Sequence, residues 1–401
     1  MKICLVSDNL VGYHKYWSGA ELVCKILADS LEKEGQDVLF LTTKVQNKDN
    51  LGKIVQVPTI VGKPKLLQKI SAPFYILWGS LYSLYKLSKN RPDMINFMHS
   101  NYLFSPVMIA AILLKIPTVF TFLDYYMICP KATFRMANEK ICNSVEGNIC
   151  RRCISRIKYM ERLLLRSLKK RLDGVITFTE TSKKRLLKHG FLENQIKVIY
   201  TYNIPFEFSQ KKADSTKKDS ILAVASFNEH KGLHIVLKAF ASVLKEVPSA
   251  KLVVVGQGNK EDTNRINNLV KDLGVSGSVS FLGQKSNEET LKEILRNEMA
   301  VVAEQWPSEF GPLALVEAMA LGKPVVAGDI GSVHDFVRDG VNSYLAKYDS
   351  PEDFSRKIVD LLKNKEKAVE FGNRAREDGR ILFSYDQGKK SLEFFKEIIK
   401  E

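Results

Sequence analysis

Short apolar runs at 3–6, 38–41, 94–97, 118–122 and 175–178 alternate with helix-like stretches, and the same alternation starts again at 221–225, 252–255, 279–282, 300–303 and 325–327. A strand that is apolar on successive residues has no face to offer water. It therefore belongs in a parallel sheet covered on both sides, with the helices as crossovers. Two such series predict an α/β chain of two doubly wound domains, and 401 residues suit two domains of roughly 200 each. Between the series, 208–219 contains Ser-Gln-Lys-Lys-Ala-Asp-Ser-Thr-Lys-Lys-Asp and reads as a polar linker. The expected divisions are 1–205, 206–380, and a closing helix within 381–401 that crosses back to the first domain.

Apolar content of 45% with 26% charged residues describes a globular chain, and no low-complexity tract or short repeat interrupts it. The net charge of +15 is unevenly placed: residues 1–200 hold 31 Lys and Arg against 15 Asp and Glu, and the rest is nearly balanced. A basic half can meet nucleic acid, an anionic membrane or an acidic substrate. The run at 3–6 begins as a strand at once, which predicts no signal peptide and a cytoplasmic chain. The uncharged stretch 70–85 holds Pro73 and Gly79 and falls short of the ~20 apolar residues that span a bilayer. Phe74, Tyr75, Ile76, Leu77, Trp78, Leu81, Tyr82, Leu84 and Tyr85 stand between Lys63, Lys65, Lys69 and Lys86, Lys89, Arg91, the pattern of a helix lying on an anionic membrane inner face. A core helix accounts for the same residues, and the sequence leaves both readings open.

In open α/β sheets ligands sit beyond the carboxyl ends of the strands, and the distinctive motifs fall there. Tyr16-Trp17-Ser18-Gly19-Ala20-Glu21 opens a helix after the first strand. Phe227-Asn228-Glu229-His230-Lys231-Gly232 follows the first strand of the second series, and Gly256-Gln257-Gly258 follows the next; a tight turn explains that Gly-x-Gly as well as a ligand does. Glu309 and Glu317 stand eight positions apart around Phe310-Gly311-Pro312-Leu313. Pro312 suits a first helical turn, with Leu313, Val316 and Ala320 on one apolar face. Glu317 then lies about one turn inside the helix and Glu309 in the loop before it. The amides of Gly311 and Leu313 at such a helix start favour an anion, and carboxylates on either side accept hydroxyls. That combination suits a nucleotide sugar.

Glu-Phe-Gly-Pro-Leu, Glu-Ala-Met-Ala-x-Gly-x-Pro-Val-Val and the run 331–342 closely resemble the donor-binding half of retaining GT-B glycosyltransferases of family 4. The order of the glycine loop, Lys-Gly, Gly-x-Gly, Phe281-Leu282-Gly283 and Glu-x7-Glu extends the resemblance over nearly the whole chain. It implies two Rossmann-like domains facing across a cleft, the first for the acceptor and the second for the donor. It further implies Lys231 at the donor diphosphate, with Gly19, Ser226, Gly256 and the amides of Gly311 and Leu313 near it. The base lies near Phe281, Leu282, Gly283 and Gln284, the ribose at Glu317, and the donor sugar at Glu309 with Phe310 and Pro312 beside it. Glu309 and Lys231 are the implied catalytic pair. The implied activity is a retaining, metal-independent hexosyltransferase that builds a polysaccharide, lipopolysaccharide or other glycolipid on a glycan or lipid-linked acceptor, with no catalytic cofactor and no nucleic-acid partner.

Three departures stand out. Ser226 replaces a phosphate-binding arginine. Leu123 replaces a histidine that borders the donor sugar, leaving His99 and Asp124 to serve the acceptor side. Ser332-Val333-His334-Asp335 replaces a usual Gly-x-Pro-Glu. A degenerate nucleotide-sugar-binding protein and a basic nucleic-acid module remain as alternatives, and a GT-B epimerase fits the Glu-x7-Glu context less well. Finally, Cys129, Cys142, Cys150 and Cys153 follow the spacing C-x12-C-x7-C-x2-C, which a subset of the family resembles. Such spacing points to a structural zinc site, with an iron–sulfur cluster or plain thiols left open. Cys4 and Cys24 read as core.

Overall fold

The computed structural model describes residues 1–14, 19–47, 51–58, 65–136, 141–145, 147–200, 208, 217–307, 312–380 and 386–400. The chain divides into two compact units, Met1–Tyr202 with Asp386–Glu401, and Asn203–Tyr385.

The first unit is a seven-stranded parallel sheet: β1 Lys2–Val6, β2 Asp37–Thr42, β3 Ile54–Gln56, β4 Met94–Phe97, β5 Thr118–Thr121, β6 Gly174–Thr177 and β7 Ile196–Val198, in the order β3-β2-β1-β4-β5-β6-β7. Cys4 on β1 lies between Leu39 and Ile95 in register, and Ile3 through Val6 have no exposed surface. That is what a strand apolar on both faces requires. Helices α1 Gly19–Lys33, α2 Lys65–Asn90, α3 Phe104–Leu114, α4 Arg156–Lys169 and α5 Glu180–Lys188 connect the strands. Edge-to-face contacts of Phe104 with Phe97 and Phe120, at 4.9 and 5.7 Å, fill the space under α3. The chain's last helix, Gln387–Lys400, belongs to this unit and packs on α1, where the amide of Gly388 donates to Ser30 Oγ at 3.2 Å.

The second unit is a six-stranded parallel sheet: β8 Lys217–Val224, β9 Lys251–Val255, β10 Val279–Phe281, β11 Asn297–Val302, β12 Val325–Gly328 and β13 Tyr344–Ala346, in the order β10-β9-β8-β11-β12-β13. Its helices are α6 Leu233–Glu246, α7 Lys260–Asp272, α8 Asn287–Arg296, α9 Leu313–Ala320, α10 Pro351–Lys363 and α11 Lys365–Gly379. Strand order reverses between β1 and β4 in one sheet and between β8 and β11 in the other. Those reversals open the crevices where α/β ligands bind.

Three details differ from expectation. The edge strands β3, β7 and β13 are three residues long, too short to register as apolar runs. The linker is shorter than 208–219: β8 already starts at Lys217, Asp219 is held by Ser249 Oγ at 2.7 Å and Lys365 Nζ at 3.2 Å, and Phe208 is fully buried. The rest of it, 209–216, lies outside the described residues. The third is α9, which has no single apolar face: Leu315 through Ala320 are all buried, because the helix is enclosed by α8, α11, β11 and β12.

Candidate functional site

Four strand ends of the second sheet bring the predicted residues together. Beyond β8, Phe227 donates its amide to the Gln257 carbonyl at 3.2 Å and its ring meets Phe281 edge-on at 5.6 Å. Gly256 donates to the Gly283 carbonyl at 2.9 Å, and Gln257 Nε2 to Gln284 Oε1 at 2.6 Å. The loops after β8, β9 and β10 thus form one floor. Gly256 is glycine for a physical reason: at φ +139°, a Cβ there would fall 2.0 Å from the Ala225 carbonyl oxygen. Ser226 lies in this floor, and Arg265 of α7 reaches the same loop, donating to the Phe227 carbonyl at 2.8 Å while pairing with Asp262.

Lys231 ends the loop after β8 beside the strand reversal. Its Nζ lies 2.9 Å from Glu304 Oε1, and Glu304, just past β11, is 5% exposed. The backbone clamps the same place, with the Gln305 amide donating to the His230 carbonyl at 2.8 Å and the His230 ring stacked on Trp306 at 4.2 Å. Glu304 therefore fixes a cation at the mouth of the crevice. Sequence reasoning missed Glu304, since nothing local links it to a lysine 73 positions earlier.

Glu317 is buried on α9 and accepts from Asn287 Nδ2 at 2.8 Å, a partner that opens α8 and was not anticipated. Pro312 caps α9, accepting the amides of Leu315 and Val316, so the amide of Leu313 precedes the first helical bond. Glu309, Phe310 and Gly311 lie outside the described residues.

At the reversal of the first sheet stands a second cluster. His99, just past β4, places Nδ1 2.8 Å from Glu21 Oε1 and Nε2 3.4 Å from Asp124 Oδ2. Burial alone would depress the imidazole, but hydrogen bonds and charge from Asp124 and Glu21 outweigh it and raise its pKa to about 11. His99 is thus an imidazolium at neutral pH. Asp8 accepts the amides of Tyr102 and Leu103 at 3.0 and 3.1 Å, yet burial pushes its carboxyl up to about 6. The structure brings His99 and Asp124 together and adds Glu21 from the first turn of α1, close behind Gly19. Leu123 leaves the imidazole position after β5 empty of a ring, and His99 reaches Asp124 from the neighbouring strand.

The four clustered cysteines converge. Cys129, Cys142, Cys150 and Cys153 line one cavity of about 20 Å³, room for a single small occupant. Turns shape it: the Cys153 amide donates to the Cys150 carbonyl at 3.0 Å and the Cys142 amide to the Phe134 carbonyl at 2.6 Å. None of the four is in a disulfide, and among the described residues no group of three or more His, Cys, Asp or Glu is arranged to hold a metal ion. Cys4 and Cys24 are fully buried, as core residues should be.

Comparison with known proteins follows the same division. A family model described as glycosyl transferases group 1 matches residues 205–378, and one described as glycosyltransferase family 4 matches 17–201. Spore coat protein SA of Bacillus subtilis is 28% identical over 183 residues, 44% of this chain and 48% of that protein. N-acetyl-alpha-D-glucosaminyl L-malate synthase of Bacillus anthracis is 32% identical over 163 residues, 41% of each chain. The chain thus spans about half the length of these curated relatives or less. The crystal structure of Anabaena HepE in complex with UDP-glucose superposes with a TM-score of 0.75 at 18% identity, covering 99% of this chain and 100% of that one. At that identity the likeness concerns the fold, which is GT-B.

Proposed function

The chain belongs to the family 4 glycosyltransferases, and on that premise we propose that it moves a hexose from a nucleotide sugar to a glycan or lipid-linked acceptor, with retention and without a catalytic metal. The observation that carries the reading is Lys231, a cation clamped by buried Glu304 at the strand reversal of the second sheet. In the transfer the bond from the anomeric carbon to the diphosphate oxygen breaks as one to the acceptor oxygen forms on the same face. The acceptor's proton passes to the departing diphosphate. Positive charge builds on the sugar and negative charge on the leaving group, so a fixed ammonium and helix-start amides favour the transition state over the ground state. HepE, solved with UDP-glucose, supports a nucleoside-diphosphate sugar as donor.

In this reading Glu317, oriented by Asn287, accepts the ribose hydroxyls, and Glu309 the hydroxyls of the donor sugar. Calorimetry with free nucleotide and with donor separates the two roles. Glu317→Ala is expected to weaken both ligands by about tenfold or more, the loss of a charge-assisted hydrogen bond. Glu309→Ala should leave nucleotide affinity intact and abolish transfer. Equal losses of nucleotide affinity would overturn the assignment. The departures at Leu123 and Ser226 keep one second reading, a protein that binds nucleotide sugars without turning them over. Single-turnover assay with labelled donor distinguishes the two.

The four-thiol cavity is proposed to take a structural zinc. Its donor type suits tetrahedral thiolate ligation, which would close the open arrangement. Elemental analysis of purified protein should find about one zinc per chain. Cys150→Ser should lose it and lower the melting temperature without changing nucleotide affinity. Metal-free wild type that melts at the same temperature as zinc-supplemented protein would remove the metal from the account.

A further inference from the structure

The first unit has an apolar and basic face that the transfer reaction does not use. On α2, Leu77, Trp78, Leu81 and Tyr85 are each more than half exposed, Trp78 at 57%. Their spacing gathers them on one stripe, directly opposite Gly79, Ser80, Ser83 and Leu87, which are buried toward the protein. Gly79 shows how closely α2 is seated: a Cβ there would come 3.1 Å from Pro106 on α3. The stripe is therefore the helix's outward face, which sets aside the core-helix reading for these four residues. No helix among the described residues is long and apolar enough to cross a membrane.

The stripe does not stand alone. α3 packs against both α2 and α4, and each continues the pattern: Ile112 and Leu113 are exposed at the end of α3, Leu113 at 65%, and Met160 and Leu163 are exposed on α4. By sequence, the three helices carry nine Lys and Arg, of which Arg162 is buried against the Tyr126 and Met127 carbonyls, and a single acid, Glu161. Lys86 Nζ lies 5.3 Å from the Tyr82 ring centre and 5.6 Å from that of Tyr85, a cation held beside the aromatic side chains of α2. Exposed apolar side chains gathered on neighbouring helices mark an interaction surface. Aliphatic side chains beside Trp and Tyr, rimmed by cations with almost no acids, match the acyl and headgroup boundary of an anionic bilayer. Nucleic acid would answer the charge but not the leucines, which offer bases nothing to stack on. A second copy of the same face would set cations against cations.

We propose that the α2–α3–α4 face docks the protein reversibly on an anionic lipid surface. The apolar stripe enters the headgroup boundary, and Lys86 and Lys89 contact lipid phosphates. Docking is independent of donor binding, so its failure leaves the glycosyl-transfer reading untouched.

Sedimentation of the full chain with phosphatidylglycerol-containing and with pure phosphatidylcholine vesicles tests it. Wild type should pellet with the anionic vesicles and not with the neutral ones, and raising salt should release it. Lys86→Gln with Lys89→Gln should weaken partition by about thirtyfold, from the ordinary contribution of two lysines near such a surface. Leu77→Ser with Leu81→Ser should abolish pelleting. All four positions are solvent-facing or partly so, and an unchanged melting temperature and nucleotide affinity would establish that the variants fold. Wild type that stays in the supernatant with anionic vesicles, or variants that pellet as wild type does, would overturn the proposal. So would light scattering that shows a dimer converted to monomer by the leucine changes, which would assign the face to a second copy.

Discussion

Lys231→Ala is expected to reduce the turnover number by about a hundredfold to a thousandfold, the usual cost of removing one preorganised charge from a leaving-group site. The affinity for donor should fall less, because the lysine acts most on charge that develops during transfer. The same substitution takes a cation from Glu304, whose residue is only 5% exposed and whose Oε1 pairs with Nζ at 2.9 Å. A buried carboxylate without its cation destabilises by roughly 3–5 kcal/mol, so lost activity could come from lost structure. The double variant Lys231→Ala with Glu304→Gln separates the causes. It removes the buried carboxylate's charge together with the ammonium and should restore most of the melting temperature while turnover stays low. Recovery of activity in the double variant would reduce Lys231 to a structural partner of Glu304. Lys231→Arg should retain part of the rate, since it keeps the charge but changes its reach.

Gly232→Ala is expected to be the most destabilising alanine substitution in the second unit that removes no contact at all. Gly232 has φ +67°, and an added Cβ would fall 1.7 Å from the carbonyl oxygen of Ala303, immediately after β11. Left-handed backbone costs a non-glycine residue roughly 1–2 kcal/mol, and an overlap with main chain at the end of a buried strand cannot be relieved by a rotamer change. A loss of about 3 kcal/mol or more follows, which in a unit of this size lowers the melting temperature by about 10 °C. Gly274→Ala supplies the comparison: its φ is +68°, and a Cβ there meets nothing within 4 Å. That variant should lose only the backbone strain. If both glycines cost the same, the close approach of β11 to the loop after β8 is not what requires Gly232.

Both experiments act on one junction, and it shows how far the sequence could be read. Lys231-Gly232 was legible because the apolar run before it and the amphipathic helix after it place the pair at a strand end. The function of its glycine was not, because the constraint comes from Ala303, just past a strand that lies far along the chain from Gly232. Glu304, Asn287 and Arg265 escaped for the same reason. Each is an ordinary polar residue in its own neighbourhood, and only the order β9-β8-β11 brings it to the site.

Local pattern therefore determined what depends on a few consecutive residues: the β/α alternation, the two series, the motifs at strand ends and the cysteine spacing. Strands apolar on both faces admit only a covered parallel sheet, so the fold class was settled by composition along the chain. Tertiary structure decided what depends on distant residues meeting. It put Glu21, His99 and Asp124 in one cluster where the charge of the imidazole is set by both carboxylates, which no single segment could reveal. It also decided which side of α2 faces out. The leucines and aromatics of that helix would serve a core or an interface equally, and the choice fell when Gly79 let the opposite face close against Pro106.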